Sequence, residues 1–229
     1  MTSWPWAGRF VQVAGIHDRA EADLVIAAGA THLGFPLRLP DGREDLSEAE
    51  ATQVIAHVGD RAGCLLITYL IEAASTLAFA RTLGVGGVQL HGPMPADELA
   101  ALRAAAPDLL LLKSLVVGEE DEARLLAFAR EVSPSVDAFI TDTFDPDTGR
   151  RGATGRTHDW SASRRLVHGL ARPVILAGGL RPENVAAAVQ AVRPAGIDAH
   201  TGVEDAAGRK SLARTTAFVR HGLEALAAV

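Results

Sequence analysis

The side chains fit for proton transfer fall where short apolar runs end. Asp142 closes Phe139-Ile-Thr-Asp142, and His200 closes Gly196-Ile-Asp198-Ala-His200. His91 follows Val88-Gln89-Leu90, and His17 follows Phe10-Val-Gln-Val-Ala14 by three residues. A carboxyl in a mostly apolar opening can have its pKa raised until it serves as a proton donor. An imidazole titrates near pH 6.5 unperturbed and can accept a proton at neutral pH. Two further segments suit an anion. Ala177-Gly178-Gly179-Leu180 leads to a helix expected to open at Pro182, so backbone N–H groups would stand bare at its N-terminus. His200-Thr201-Gly202-Val203-Glu204 is expected to open a short extra helix. Phosphate is the anion such paired loops hold.

Strands must carry these residues to one place. Phe10–Ala14, Thr31–Leu37, Gly63–Tyr69, Gly87–Leu90, Leu109–Leu115, Asp137–Asp142, Pro173–Ala177 and Gly196–Ala199 read as strands. Helical runs follow each: Arg19–Ala28, Ser47–Val58, Glu72–Leu83, Ala96–Ala105, Glu119–Val132, Trp160–Leu170, Pro182–Val192 and Leu212–Ala228. Asp18 is a candidate cap, and Ser47-Glu-Ala-Glu50 has capping-box spacing. The strands read as continuous Val/Ile/Leu runs, as parallel strands buried on both faces do. Eight such units in one chain predict a (β/α)8 TIM barrel with parallel strands, built as a single domain over residues 1–229. Reactive groups then belong at the C-terminal strand ends, and phosphate between the loops after strands seven and eight.

Composition narrows the function. Lys+Arg number 22 against 28 Asp+Glu, a net charge of −6, so the broad cationic field of a nucleic-acid or anionic-membrane binder is missing. A single cysteine, Cys64, excludes an internal disulfide framework and any Cys-rich zinc module. The N-terminal residues have no basic stretch followed by an apolar core, and no apolar run approaches the ~20 residues of a membrane span. A soluble, cytoplasmic protein is expected.

Several of these segments resemble the phosphoribosylanthranilate isomerase family, barrel enzymes of tryptophan biosynthesis. Val88-Gln89-Leu90-His91-Gly92 matches the family's strand-four motif. Gly34-Phe35 followed by Arg43 is similar to its Gly-Phe…Ser-Pro-Arg segment, and Phe139-Ile-Thr-Asp142-Thr143 to its Leu-Leu-Asp-Ser/Thr. Gly152-Ala-Thr154-Gly155-Arg-Thr-His-Asp159-Trp160 resembles Gly-Gly-Thr-Gly-x-x-Phe-Asp-Trp. Leu176-Ala-Gly-Gly-Leu-Arg-Pro-Glu-Asn184-Val185 matches closely, and Gly196-Ile-Asp198-Ala-His-Thr-Gly-Val-Glu204 resembles Gly-Val-Asp-x-Ser-Ser-Gly-Val-Glu. The resemblance implies an Amadori rearrangement of an aminated ribose 5-phosphate to its ketose form, with no cofactor. A general acid opens the sugar ring to a Schiff base, and a general base removes the C2 proton. The family pattern puts the acid at Asp142, the anthranilate carboxylate at Arg43, and the phosphate at Gly178, Gly179, Thr201 and Gly202. Gln89, His91, Thr154, Gly155 and Asp198 fall at substrate-contacting positions.

One departure bears on the chemistry. The family's base is a cysteine in Lys-x-Cys-Gly-Ile-Thr, and here the segment reads Gln12-Val13-Ala14-Gly15-Ile16-His17. Alanine accepts no proton, and a base is worth ~10²–10⁴-fold. His17 and His200 are the candidate replacements; Cys64 falls near the start of strand three, at the wrong end of the barrel. His17, His91, His158 and His200 gather around the expected mouth, but no H-x-H or H-x-x-x-H spacing joins them and no metal site is expected. Two other readings stay open: a repurposed isomerase, epimerase or lyase on another phosphorylated sugar, and a non-catalytic phosphosugar-binding homologue. The chain is expected to be a monomer or homodimer.

Overall fold

A computed structural model describes residues 6, 8–42, 44–118, 121–145, 150–151 and 160–229. Strands and helices alternate in the order β1 (Phe10–Ala14), α1 (Arg19–Ala27), β2 (His32–Pro36), α2 (Glu48–Val58), β3 (Gly63–Thr68), α3 (Ala73–Leu83), β4 (Gly87–Leu90) and α4 (Ala96–Ala105). The second half continues β5 (Leu110–Val117), α5 (Glu122–Val132), β6 (Ala138–Asp145), α6 (Trp160–Gly169), β7 (Val174–Leu176), α7 (Val185–Val192), β8 (Gly196–Ala199) and α8 (Leu212–Leu226). Each strand pairs in parallel with the next, β5 pairs with β6 from Leu112↔Ala138 to Val117↔Thr143, and β8 returns to β1. The sheet therefore closes on itself as the predicted (β/α)8 barrel, which removes every free edge among these strands.

The two-residue alternation of a strand divides the apolar residues between two cores. Val11, Val13, Leu33, Phe35, Leu66, Val88, Leu111, Phe139, Leu176 and Ile197 face outward into the helix layer. Phe10, Leu65, Leu112, Ala138, Ile140, Ile175 and Ala177 form a separate cluster inside the barrel. Counting by twos from these inner residues reaches Gln12 and Ala14 on β1, Ser114 on β5 and Asp142 on β6, and Asp198 on β8 lies inward between the outward Ile197 and Ala199. The polar set thus lies above an apolar floor, toward the C-terminal strand ends. At the opposite end, the His32 ring stacks on Phe10 at 4.2 Å, meets Trp6 edge-on at 4.8 Å, and holds Thr31 Oγ1 at 2.8 Å from Nδ1.

The helix caps follow the sequence. Asp18 accepts from Glu21 N at 2.9 Å, and Ser47 with Glu50 forms the reciprocal capping box. Several boundaries shift from expectation, and two of the shifts have a visible cause. β6 continues past Asp142 to Asp145, and Phe144 and Asp145 pair antiparallel with Arg151 and Arg150, so the chain leaves the barrel as a ribbon. α7 begins at Val185 instead of Pro182, because Asn184 Oδ1 accepts from Arg181 N at 2.8 Å and holds Arg181-Pro-Glu183 as a turn. Short polar side chains that bond nearby backbone favour such turns over helix.

Candidate active site

Asp142 projects into the mouth from β6, with a side chain 13% exposed and Oδ2 3.7 Å from His91 Nε2. His91 is fixed from behind. Its Nδ1 lies 2.9 Å from Ser114 Oγ, and the Tyr69 ring meets it edge-on at 4.8 Å. Gln89 extends this network: its carboxamide donates to Ser114 Oγ at 3.3 Å and accepts from Gln12 Nε2 at 2.8 Å. A relay of hydrogen bonds therefore runs from β1 through β4 and β5 to the His91 ring that faces Asp142. Gln12 and Ser114 were not singled out from the sequence as site residues. The available signal is their parity: each is a polar residue at an inward position of a buried strand.

Asp198 lies in register with Gln12 on the neighbouring strand. Its Oδ1 is buried and has no hydrogen-bond partner, and Gln12 Oε1 is likewise without one. Burial pushes the Asp198 carboxyl up to about 7; the Asp142 charge adds to the rise, and the Gln12 hydrogen bond and the Lys210 charge oppose it. An ionised carboxylate with an unpaired buried oxygen is costly, so the proton is held to unusually high pH.

The two histidines proposed as bases converge elsewhere. His17 Nδ1 is 3.0 Å from Glu21 Oε2, which also accepts from His17 N at 2.9 Å. His17 Nε2 is 3.7 Å from Asp45 Oδ1, while His200 Nε2 is 3.9 Å from Asp45 Oδ2 and 3.6 Å from Glu204 Oε1. The His200 ring lies over Gly15, where a Cβ would fall 2.1 Å from Nε2. Burial first, then the charges of Lys210 and His17, push the His200 ring down to about 3. Glu21 ties this rim together, accepting also from Arg209 Nε and from Lys210 N at 3.0 Å. Asp45, another residue the sequence did not flag, keeps Oδ2 buried without a hydrogen bond, and burial raises its carboxyl. Among the described residues, no three His, Cys, Asp or Glu side chains gather in a way that could hold a metal ion.

Ala14 ends β1 as a buried methyl, next to Gly34 in the β2 register. Cys64 faces the helix layer near the start of β3, and burial pushes its thiol up to about 12. It is an inert packing residue by position and by acidity.

The loops after β7 and β8 touch one another. Gly178 and Gly179 adopt φ of 99° and 63°, and Gly179 O accepts from Asn184 Nδ2 at 3.0 Å. The amides of Gly178 and Gly179 have no protein acceptor among the described residues. Thr201–Val203 forms the expected short helical turn, of the 3₁₀ kind. A Cβ on Gly202 would stand 1.8 Å from Leu180 O, so only glycine permits this approach. Arg43, Thr154, Gly155 and His158 lie outside the described residues.

The sequence model of the N-(5'-phosphoribosyl)anthranilate (PRA) isomerase family matches residues 11–221. The chain belongs to the PRA isomerase family. Its relatives include the N-(5'-phosphoribosyl)anthranilate isomerase of Haloferax volcanii, 38% identical over 220 residues with 96% of this chain and 95% of the relative covered. Isomerase 2 of Methanosarcina mazei is 33% identical, covering 91% and 92%. The phosphoribosyl anthranilate isomerase structure from Thermotoga maritima superposes with a TM-score of 0.77 at 28% identity, covering 93% of this chain and 98% of that one. A family structure in complex with reduced 1-(o-carboxyphenylamino)-1-deoxyribulose 5-phosphate gives 0.75 at 26%, covering 93% and 97%. Asp142 thus lies on β6 toward the C-terminal end of this barrel, and Ala14 ends β1 as a buried methyl group.

Proposed function

We propose that this protein is an aldose–ketose isomerase that converts N-(5'-phosphoribosyl)anthranilate to the corresponding aminodeoxyribulose 5-phosphate. The observation that carries this reading is at the C-terminal strand ends: Asp142 and Asp198 stand at inward positions of β6 and β8 close enough to feel each other's charge, and the glycine loops after β7 and β8 pack together there. The amides of Gly178 and Gly179, which have no protein acceptor among the described residues, suit the phosphate dianion together with the Thr201–Gly202 turn. This grip is local, so a chain of net charge −6 can still hold an anion. Asp142 protonates the ring oxygen, the C4 oxygen leaves C1, and the aniline nitrogen pair forms the Schiff base. His91 and the relay behind it position that carboxyl. Arg43 takes the anthranilate carboxylate, and Gln89, Thr154, Gly155 and Asp198 line the sugar. The chain acts as a single domain over residues 1–229, in the cytoplasm, without a cofactor and without nucleic acid, as a monomer or homodimer. The Thermotoga maritima enzyme has been solved in forms described as monomers of a dimeric protein. No helix among the described residues is long and apolar enough to cross a membrane.

Turnover of the substrate by purified protein tests the reading, together with growth of a tryptophan auxotroph supplied with the chain. Asp142→Asn should lower kcat by ~10²–10⁴-fold while the reduced product analogue still binds. A wild-type protein that neither binds that analogue nor turns the substrate over is not this isomerase.

A further inference from the structure

We infer that Asp198 removes the C2 proton of the ring-opened substrate in this chain, in the role the family pattern gives to the thiol that Ala14 lacks. The inference rests on the isomerase reading above and adds the identity of its base.

The geometry leaves few other groups for that task. His17 is engaged by Glu21 and Asp45, on the rim outside the strand ends. His200 is pressed over Gly15 between Asp45 and Glu204, and at about 3 its imidazole is too weak a base to compete at neutral pH. Lys113 lies on the outward face of β5 and donates to the carbonyls of Leu90, Gly92 and Ser114. His91 is held by Ser114 and faces the acid. Among the described residues, Asp198 is the titratable strand residue that combines an inward position with an oxygen that no protein donor occupies. The residue as a whole retains partial exposure, while Oδ1 itself is buried. Ala14 and Gly34, adjacent in register, carry only small side chains, and Ile67 Cδ1 packs over Gly34, where a Cβ would fall 2.7 Å from it.

The step balances within the site. Asp142 gives its proton to the ring oxygen and becomes a carboxylate. The Asp198 carboxylate takes H⁺ from C2; the C2–H pair becomes the C1=C2 bond, and the C1=N⁺ pair returns to nitrogen. The enolamine then gains a proton at C1 from Asp198 as its C2 hydroxyl proton passes to Asp142, leaving the ketone and both carboxyls as they began.

The charged groups facing Asp198 are Asp142 from β6 and Lys210 from the segment before α8, with His91 from β4 acting through Asp142. Gln12 from β1 is its neutral neighbour, and the β7 side offers only Ile175 and Ala177. Burial and the Asp142 charge outweigh Lys210 and Gln12, so the pair keeps its last proton up to about 7, and the reactive form holds that proton on Asp142 and the charge on Asp198. kcat/KM should therefore fall with pH along a limb centred near 7, where the Asp142–Asp198 pair loses that proton.

The experiment compares kcat, KM, pH profile and binding of the reduced product analogue for wild type, Asp198→Asn, Ala14→Cys and the double variant. The inference expects Asp198→Asn to lose ~10²–10⁴-fold in kcat with analogue affinity nearly unchanged. It also expects Ala14→Cys to return at least tenfold of that loss, with a rising limb that belongs to the thiol. Asp198→Asn with wild-type kcat and an unchanged limb overturns it and leaves the isomerase reading standing. Parallel loss of turnover and binding, without recovery by Ala14→Cys, assigns Asp198 a structural role and also overturns it. An inert wild type beside an active Ala14→Cys shows a site with no base and overturns it again. Inactivity of both, with no analogue bound, sinks the isomerase reading and this inference together.

Discussion

The carboxyl of Asp198 keeps one oxygen buried and unpaired, and that arrangement works against the fold. Its pKa is raised from 3.8 to about 7 in the folded chain. Between those values the folded protein holds a proton that the unfolded chain has released, so stability falls as pH climbs through this window. Asp198→Asn removes the titration and keeps the shape. Its melting temperature should exceed that of wild type at pH 8, and the gain should shrink toward pH 4; an equal or lower value at pH 8 would show the carboxylate to be well accommodated. At this scale the sequence was partly legible. Asp142, Asp198, Gln89 and His91 stand in motifs, so their types and strand-end positions could be read directly. The orphaned oxygen of Asp198 could not, because it depends on which way the Gln12 carboxamide turns toward Gln89. The retreat of His200 and His17 onto Asp45 was hidden for the same reason: the partner comes from a loop far along the chain.

Two loops meet at Gly202, and their contact is tighter than any side chain allows. A methyl there would collide with Leu180 O and part the turns after β7 and β8, while Arg214 Nη2 holds Gly202 O at 2.9 Å from the other side. Gly202→Ala should weaken the reduced product analogue by roughly tenfold or more, as 1.4 kcal/mol of lost contact would. The loss should appear in KM more than in kcat, because Asp142, the proposed acid, is untouched; steady-state kinetics beside calorimetry separates the two. Element identities followed from hydrophobic period and caps, and the capping box at Ser47 is formed as read. The ends were less legible. Pro182 suits a first helical turn, yet Asn184 bonded back to Arg181 N and delayed α7 by three residues. β6 outran its predicted end because Phe144 and Asp145 found a partner in Arg151 and Arg150, a pairing no local pattern encodes.

Closure of the whole barrel was the most legible property, since eight buried parallel strands leave few other arrangements. The sequence did not disclose how the N-terminal end is stopped. His32 stacks between Phe10 and Trp6, and burial pushes its ring down from 6.5 to about 4. The unfolded chain therefore gains a proton before the folded one as pH drops from 6.5 to 4, and stability declines over that range by up to ~3 kcal/mol. His200 adds a slope of the same sign. His32→Phe keeps a ring against Phe10 and should cut the acid-side slope by about one proton, measured by urea unfolding between pH 4 and 7. An unaltered slope would mean the ring protonates freely in the native state.

An apolar storey built by Leu65, Leu112, Ile140 and Ile175 separates that aromatic stopper from the carboxylates at the other rim. Ruggedness and reactivity are thus assigned to different ends of one cylinder. Substitutions beneath the partition can be selected for heat or acid tolerance with the catalytic rim left alone, which makes Trp6, Phe10 and His32 the natural ground for hardening this enzyme.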